Sequence, residues 1–222
     1  MLERVLEPEW MDDPDEALCY DEMDHDEVNR QFVRDLLAAG LPGPDVLDVG
    51  IGTARIPVEL CQQHTDCRVM GADAALAMLE VARINVATAG FEHRIELCHC
   101  NCRQMPMADA MFDVVMSNSL LHHLPDPEAA VAEMLRVLRP GGRIFVRDLV
   151  RPADQDTVEQ LVQRYTGAEP PAAQQLFRQS LLAALTVAEI RDIVTGFGFS
   201  PAGVSVTSDR HWTWSSLVPP SS

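Results

Sequence analysis

Two adjacent histidines, His122 and His123, stand in the run Ser117-Asn118-Ser119-Leu120-Leu121-His122-His123-Leu124. Imidazole titrates near working pH, so either ring is a candidate base for a group that must lose a proton. The alternative is structural, one ring capping the following turn and the other packed under it. Upstream, Val46 to Leu60 reads VLDVGIGTARIPVEL: apolar residues run into Asp48, then a turn carrying Gly50 and Gly52, then a helix-like stretch. Glycines there let backbone N–H groups approach a bound ligand. A dinucleotide fingerprint wants a third glycine at position 55, which is Arg55, and a phosphate loop wants a lysine, of which the chain has none. Asp73 follows the turn by about twenty residues, where a carboxylate can accept both hydroxyls of a ribose or simply cap the next helix. Arg147, Asp148 and Arg151, with Thr207-Ser208-Asp209-Arg210-His211-Trp212, supply further charge. Arginines converging at one edge would hold a carboxylate or phosphate; equally, Asp209 and Arg210 suit a turn, and Trp212 and Trp214 one side of an edge strand.

The elements that must position these groups alternate strand and helix. Strands are expected where the Val46 stretch runs into the glycine turn and at Arg68–Asp73, Arg94–Cys100, Asp113–Ser117 and Arg143–Asp148. Helices fall at Ile56–Cys61, Ala74–Gly90 and Pro127–Leu138, the last ended by Pro140-Gly141-Gly142. Such alternation implies right-handed crossovers and a mostly parallel sheet. Residues 1–30 hold twelve acids against Arg4 and Arg30, with prolines at 8 and 14, and their first half is expected to be irregular. From about Asp24, Val28, Phe32, Val33, Leu36 and Leu37 recur at helical spacing up to Gly40. Two helical stretches between Val150 and Ala184, split by Glu169-Pro170-Pro171, read as an insert covering the sheet's carboxyl edge. Thr186 with Glu189 forms a capping box for a helix to Phe197. Val204–Thr207 and His211–Ser216 read as a terminal hairpin, and the tail LVPPSS as unstructured.

Taken in order, these motifs resemble those of a known family. The turn around Asp48, Gly50 and Gly52, with Ala54 at its last glycine position, resembles the D-x-G-x-G-x-G turn of class I S-adenosylmethionine-dependent methyltransferases. Asp73 with Met78 resembles their D-x-S-x-x-M pattern, Ala75 replacing the serine. Ser117–Leu124 is similar to the S-N-x-x-L-H-H-L segment of the small-molecule branch related to ubiquinone and menaquinone enzymes. Leu135–Arg147 (LRVLRPGGRIFVR) matches the branch's proline-glycine-glycine turn. The resemblance covers about 44–150 and implies a Rossmann-like α/β fold: a seven-stranded, mostly parallel sheet with an antiparallel C-terminal hairpin and helices on both faces. It implies a single domain over 1–222, with an acidic lid (1–40), a cofactor-binding core (44–150), a helical insert (151–184) and a final helix and hairpin (185–216).

The implied cofactor is S-adenosyl-L-methionine. Its expected contacts are Tyr20, Asp48, Gly50, Gly52, Asp73, Ala74, Met78, Asn101, Cys102 and Ser117. Tyr20 belongs to the lid, where its ring would meet the sulfonium. Asn101, where the family has an acid, would meet adenine. The implied reaction is in-line methyl transfer to a small molecule, at O, C, N or S, in which the protein aligns the reactants and excludes water. Arg147, Asp148, Arg210 and His211 are the candidates for binding the acceptor. Two other readings stay open, a pyridine-nucleotide oxidoreductase and a cofactor-binding regulatory protein without turnover.

Composition narrows the partners. A formal charge of −17, from 34 acids against 17 arginines, repels nucleic-acid backbones and anionic membrane surfaces. No apolar run reaches the ~18 residues of a membrane-spanning helix, and the acidic start lacks a secretory pattern. A cytoplasmic protein with six reduced cysteines is expected. Cys98, Cys100 and Cys102 would face one side of a strand at roughly 6.6 Å intervals. Thiolates that each lie ~2.3 Å from one zinc are closer together than that, so no metal is expected.

Overall fold

A computed structural model describes residues 2–7, 12–23 and 25–219. Seven strands, β1 (Asp45–Val49), β2 (Arg68–Asp73), β3 (Ile95–His99), β4 (Phe112–Asn118), β5 (Leu138–Leu149), β6 (Val204–Val206) and β7 (His211–Leu217), form one sheet. Their order is β3-β2-β1-β4-β5-β7-β6. β1 runs parallel to β2 and β4, and β2 to β3, while β6 and β7 pair antiparallel. The expected mixed sheet with a terminal hairpin is therefore present. No helix among the described residues is long and apolar enough to cross a membrane.

The chain divides into two compact units: residues 10–118, 129–146 and 215–222 in one, and residues 1–9, 119–128 and 147–214 in the other. In the first, β1 is buried from Val46 to Val49, as a strand covered on both faces must be. Helix α2 (Asp26–Ala39) sets Phe32, Val33 and Leu36 against that core, each stabilising it by about 1.5–3 kcal/mol. It begins at Asp26; the expected start at Asp24 lies outside the described residues, as do Pro8 and residues 220–222 of the tail. Helix α3 (Arg55–Gln63) follows the glycine turn and α4 (Leu76–Ala89) follows β2.

One expectation holds as far as Pro14 and one needs correction. The acidic start is irregular at residues 2–7 and 12–13, as expected, and turns helical at Pro14: α1 spans Pro14–Glu22, because Asp13 accepts hydrogen bonds from the N–H groups of Asp15 and Glu16 while Pro14 takes a first-turn place that needs no donor. Pro140-Gly141-Gly142 lies inside β5, which begins directly after helix α5 (Pro127–Val137). Gly141, at φ +78°, donates to the Val218 carbonyl, and Val218 donates to Gly142, so the segment is paired strand.

In the second unit, α6 (Gln155–Thr166) and α7 (Pro171–Ala183) bury Val158, Leu161, Val162 and Leu181 together with Leu149. Thr186 and Glu189 form the expected capping box at the start of α8 (Val187–Gly196). β7 is not an edge strand, because β6 lies outside it, and Trp212 and Trp214 are fully buried.

Candidate active site

In the first unit the glycine turn is shaped by its backbone. Gly50 and Gly52 take φ of +76° and +55°, and Ala54, though it carries a Cβ, takes +64°. The N–H groups of Gly50 and Ile51 both donate to the Ala72 carbonyl of β2. A Cβ on Gly71 would collide with Ile51, so that glycine admits the turn onto β2. Asp73 then fastens the loop: its Oδ2 accepts the Gly52 N–H and its Oδ1 the Ala75 N–H, each at 2.9 Å. Burial raises the Asp73 pKa against the pull of those N–H bonds.

Beside this turn is a cavity of about 300 Å³, the low end of small-molecule sites. Its wall includes Tyr20, Asp21, Glu22, His25, Asp26, Asp48, Gly50, Gly52, Thr53, Arg55 and Asn118. The wall is acidic. Asp48 is buried, and burial together with the neighbouring Asp73 carboxylate pushes its pKa up to about 8. Arg55 is already committed, donating from Nε and Nη2 to Asp21 at 2.8 and 2.6 Å. Asn85 Nδ2 also donates to Asp21, at 2.9 Å. Burial would raise the Asp21 pKa, but the bonds from Arg55, Thr53 and Asn85 outweigh it and hold the carboxylate below its ordinary value.

Of the expected cofactor contacts, Tyr20, Asp48, Gly50 and Gly52 come together at this cavity. Asp73 meets the turn through Gly52, and neither it nor Ala74 is among those wall residues. Met78 packs with Ala17, Ala75, Ala77 and Val81, and Tyr20 lies against that cluster. Asn101 is exposed, and its Oδ1 accepts the Arg103 N–H at 2.9 Å, while Cys102 is half-buried. Ser117 turns inward instead of lining the cavity, donating to the Val49 carbonyl at 2.7 Å; the neighbouring Asn118 lines the wall. Sequence reasoning missed Asp21, Asp26, Thr53, Arg55 and Asn118. Asp21 was legible only through the Asp13-Pro14 helix start that places it.

The second unit holds the histidines. A single-turn 3-10 helix, Leu121–His123, carries them. His122 is buried, with Nδ1 2.6 Å from Asp148 Oδ1 and Nε2 3.3 Å from Glu7 Oε1. Burial opposes charge on this ring, yet the two carboxylates lift its pKa to about 9. Both nitrogens of His122, one of the two candidate bases, thus face buried acids. His123 Nδ1 lies 3.1 Å from the same Glu7 oxygen.

The expected acceptor residues are also engaged within this unit. Arg147 Nε donates to Thr213 Oγ1 at 2.9 Å, and Asp148 accepts the Leu149 N–H as well as holding His122. The Arg210 guanidinium sits 3.4 Å over the Tyr165 ring. His211 shares a hydrogen bond with Ser208 Oγ at 2.9 Å. Burial and the charges of Arg210 and Arg147 push the His211 pKa down to about 4, so it is neutral near pH 7.

A family profile described as a methyltransferase domain matches residues 47–146, the stretch holding the glycine turn, Asp73 and the β4 segment. Over that stretch the chain is similar to methyltransferase domains. The methyltransferase GfsG of Streptomyces halstedii is 37% identical over 116 residues, 52% of this chain and 41% of that protein. The ubiquinone/menaquinone biosynthesis C-methyltransferase UbiE of Desulfotalea psychrophila is 34% identical over 132 residues, 59% of this chain and 51% of that protein. The matches thus span about half the length of these curated relatives. In fold, the domain and its flanking elements are similar to a candidate S-adenosyl-L-methionine-dependent methyltransferase of Methanococcus maripaludis. That likeness has a TM-score of 0.73 at 17% identity and covers 98% of both chains.

Proposed function

We propose that the protein transfers a methyl group from S-adenosylmethionine to a small-molecule acceptor. The observation that carries this reading is the charge of the cavity at the glycine turn. Three carboxylates, Asp21, Glu22 and Asp26, line it together with the buried acid Asp48, which a bound cation would ionise, against one guanidinium already paired to Asp21. Such a wall suits a sulfonium and an ammonium group. It repels the pyrophosphate of a nicotinamide cofactor, and nothing favours the oxidoreductase alternative.

In this reading Asp48 faces the methionine ammonium, Gly50 and Gly52 approach the chain of the cofactor, and the Tyr20 ring meets the sulfonium. Asp73 grips the ribose with the lone pairs left after Gly52 and Ala75. Ala74, Met78, Asn101 and Cys102 border the adenine, and Ser117 acts by fixing the Val49 carbonyl. Arg147, Asp148, Arg210 and His211 are the candidates for binding the acceptor. Methyl transfer proceeds in line, aligned and shielded from water, without proton transfer assigned to His122.

The similar proteins include a C-methyltransferase and an O-methyltransferase by name, which supports a small organic acceptor, with carbon and oxygen the first atoms to screen. The acidic composition argues against nucleic acid, and six free thiols support a cytoplasmic setting. The test is incubation with methyl-labelled S-adenosylmethionine and a panel of phenols, enols, amines and thiols. Labelled product with one class supports the enzyme; cofactor binding without product from any class leaves a regulatory binder.

A further inference from the structure

Among the described residues, Glu7, His122 and His123 bring three donor atoms within 4.8 Å of one another. The spacing is that of ligands sharing an ion. Two donors held ~2.1 Å from one metal lie about 3.0–3.5 Å apart at octahedral or tetrahedral angles. Glu7 Oε1 lies 3.3 Å from His122 Nε2 and 3.1 Å from His123 Nδ1. The supporting groups follow the same logic. Asp148 Oδ1, 2.6 Å from His122 Nδ1, accepts that nitrogen's N–H and leaves Nε2 directed at Glu7 as the nitrogen a metal would take in place of a proton, the carboxylate–histidine arrangement that orients metal-bound imidazoles. Asp148 is itself held by the N–H groups of His122 and Leu149.

Glu7 is held as firmly. Ser180 Oγ donates to its carboxylate at 3.2 and 3.3 Å. Three residues earlier, Arg4 donates to the carbonyls of Ala183, Leu121, His122 and Leu124, which ties the amino-terminal segment to the 3-10 turn. The side chains of Glu7 and His122 are only 6% and 3% exposed, whereas His123 is 30% exposed, leaving one side open for a solvent ligand.

We propose that Glu7, His122 and His123 form a binding site for a divalent first-row transition metal ion, with Asp148 and Ser180 as its supporting shell. Two imidazoles and one carboxylate suit zinc, cobalt, iron or manganese and disfavour calcium and magnesium, which prefer all-oxygen shells. Bound there, an ion would fix the amino-terminal segment to the turn after β4. The proposal is independent of methyl transfer.

Titrating the chelator-stripped full chain with Co²⁺ alone tests it, because cobalt reports its ligands. The expected result is one equivalent bound, with weak visible bands of nitrogen and oxygen ligation and no intense near-ultraviolet thiolate band. Zn²⁺ alone should displace it. Glu7→Gln, which keeps a partner for Ser180, should weaken Co²⁺ binding at least tenfold, as should His123→Ala, and Asp148→Asn by 10- to 100-fold. Circular dichroism without metal establishes that each variant folds, and Glu7→Gln decides the matter should Asp148→Asn not fold. Absence of saturable binding overturns the proposal. So does a thiolate spectrum that persists in Glu7→Gln, or an affinity indifferent to both Glu7 and His123.

Discussion

Arg55 and Asp21 face each other across the mouth of the glycine turn, joined by two hydrogen bonds of 2.8 and 2.6 Å. Arg55 opens α3, and Asp21 lies in the last turn of α1. The residue that displaces a dinucleotide fingerprint thus anchors the amino-terminal helix beside the cavity. Arg55 is 48% exposed, so the pair stabilises the fold by no more than about 1 kcal/mol. Its larger effect should be on the cofactor. Asp21→Ala and Arg55→Ala should each weaken S-adenosylmethionine binding several-fold, and the double variant should do no worse than either alone. Calorimetry on the four proteins checks this; fully additive losses would mean that the two residues act separately.

Asp73 is already bonded to Gly52 and Ala75. Removing its carboxylate therefore loosens the turn as well as the ribose contact. Asp73→Ala should weaken the cofactor at least tenfold, about 1.4 kcal/mol. An unchanged affinity would remove Asp73 from the site, and comparable binding of NAD would displace the methyl-donor reading.

Asp48 gives a pH signature. Its folded pKa, about 8, lies above the ordinary 3.8, so the stability it contributes is present below about pH 3.8 and is lost as pH rises towards 8. In the cofactor-free protein, Asp48→Asn should be increasingly favourable relative to wild type across that window in denaturant titrations. An ammonium group beside Asp48 favours its ionised form. Cofactor binding at pH 7 should then release a proton, seen as a binding heat that depends on the buffer's ionisation enthalpy. A heat independent of buffer would place the ammonium elsewhere.

Ala54 holds a left-handed conformation, φ +64°, where a Cβ is costly. Ala54→Gly should stabilise the protein by about 1 kcal/mol, less the glycine's greater unfolded-state entropy. Thermal unfolding of the variant is the check, and a lower midpoint would show that Ala54 gains more from its buried methyl than the turn loses.

The core strands were readable because a strand buried on both faces leaves a dense apolar run: β2 coincides with the stretch Arg68–Asp73. Helix α1 was not, because it buries only Ala17 and so has no apolar stripe; only its Asp13-Pro14 start marked it. The Pro140-Gly141-Gly142 segment has the composition of a turn, and its pairing with Val218 comes from residues nearly eighty positions away. The same holds at the site. Asp48, Gly50 and Gly52 are local to one motif, and proximity in sequence revealed them. The Glu7–His122–Asp148 alignment joins three distant segments, which no spacing rule connects. Ser117 and Asn118 show the alternation of a strand: one faces inward and the next reaches the cavity, and a one-residue error in reading exchanges their roles.

β6, at the rim of the sheet, has only three residues, Val204–Val206. A longer outermost strand would offer a ladder of unsatisfied amides and carbonyls to any neighbouring molecule. This stub shields the tryptophan-bearing strand inside it while giving a foreign strand too few rungs to grip, so the hairpin resists edge-to-edge aggregation at its own end.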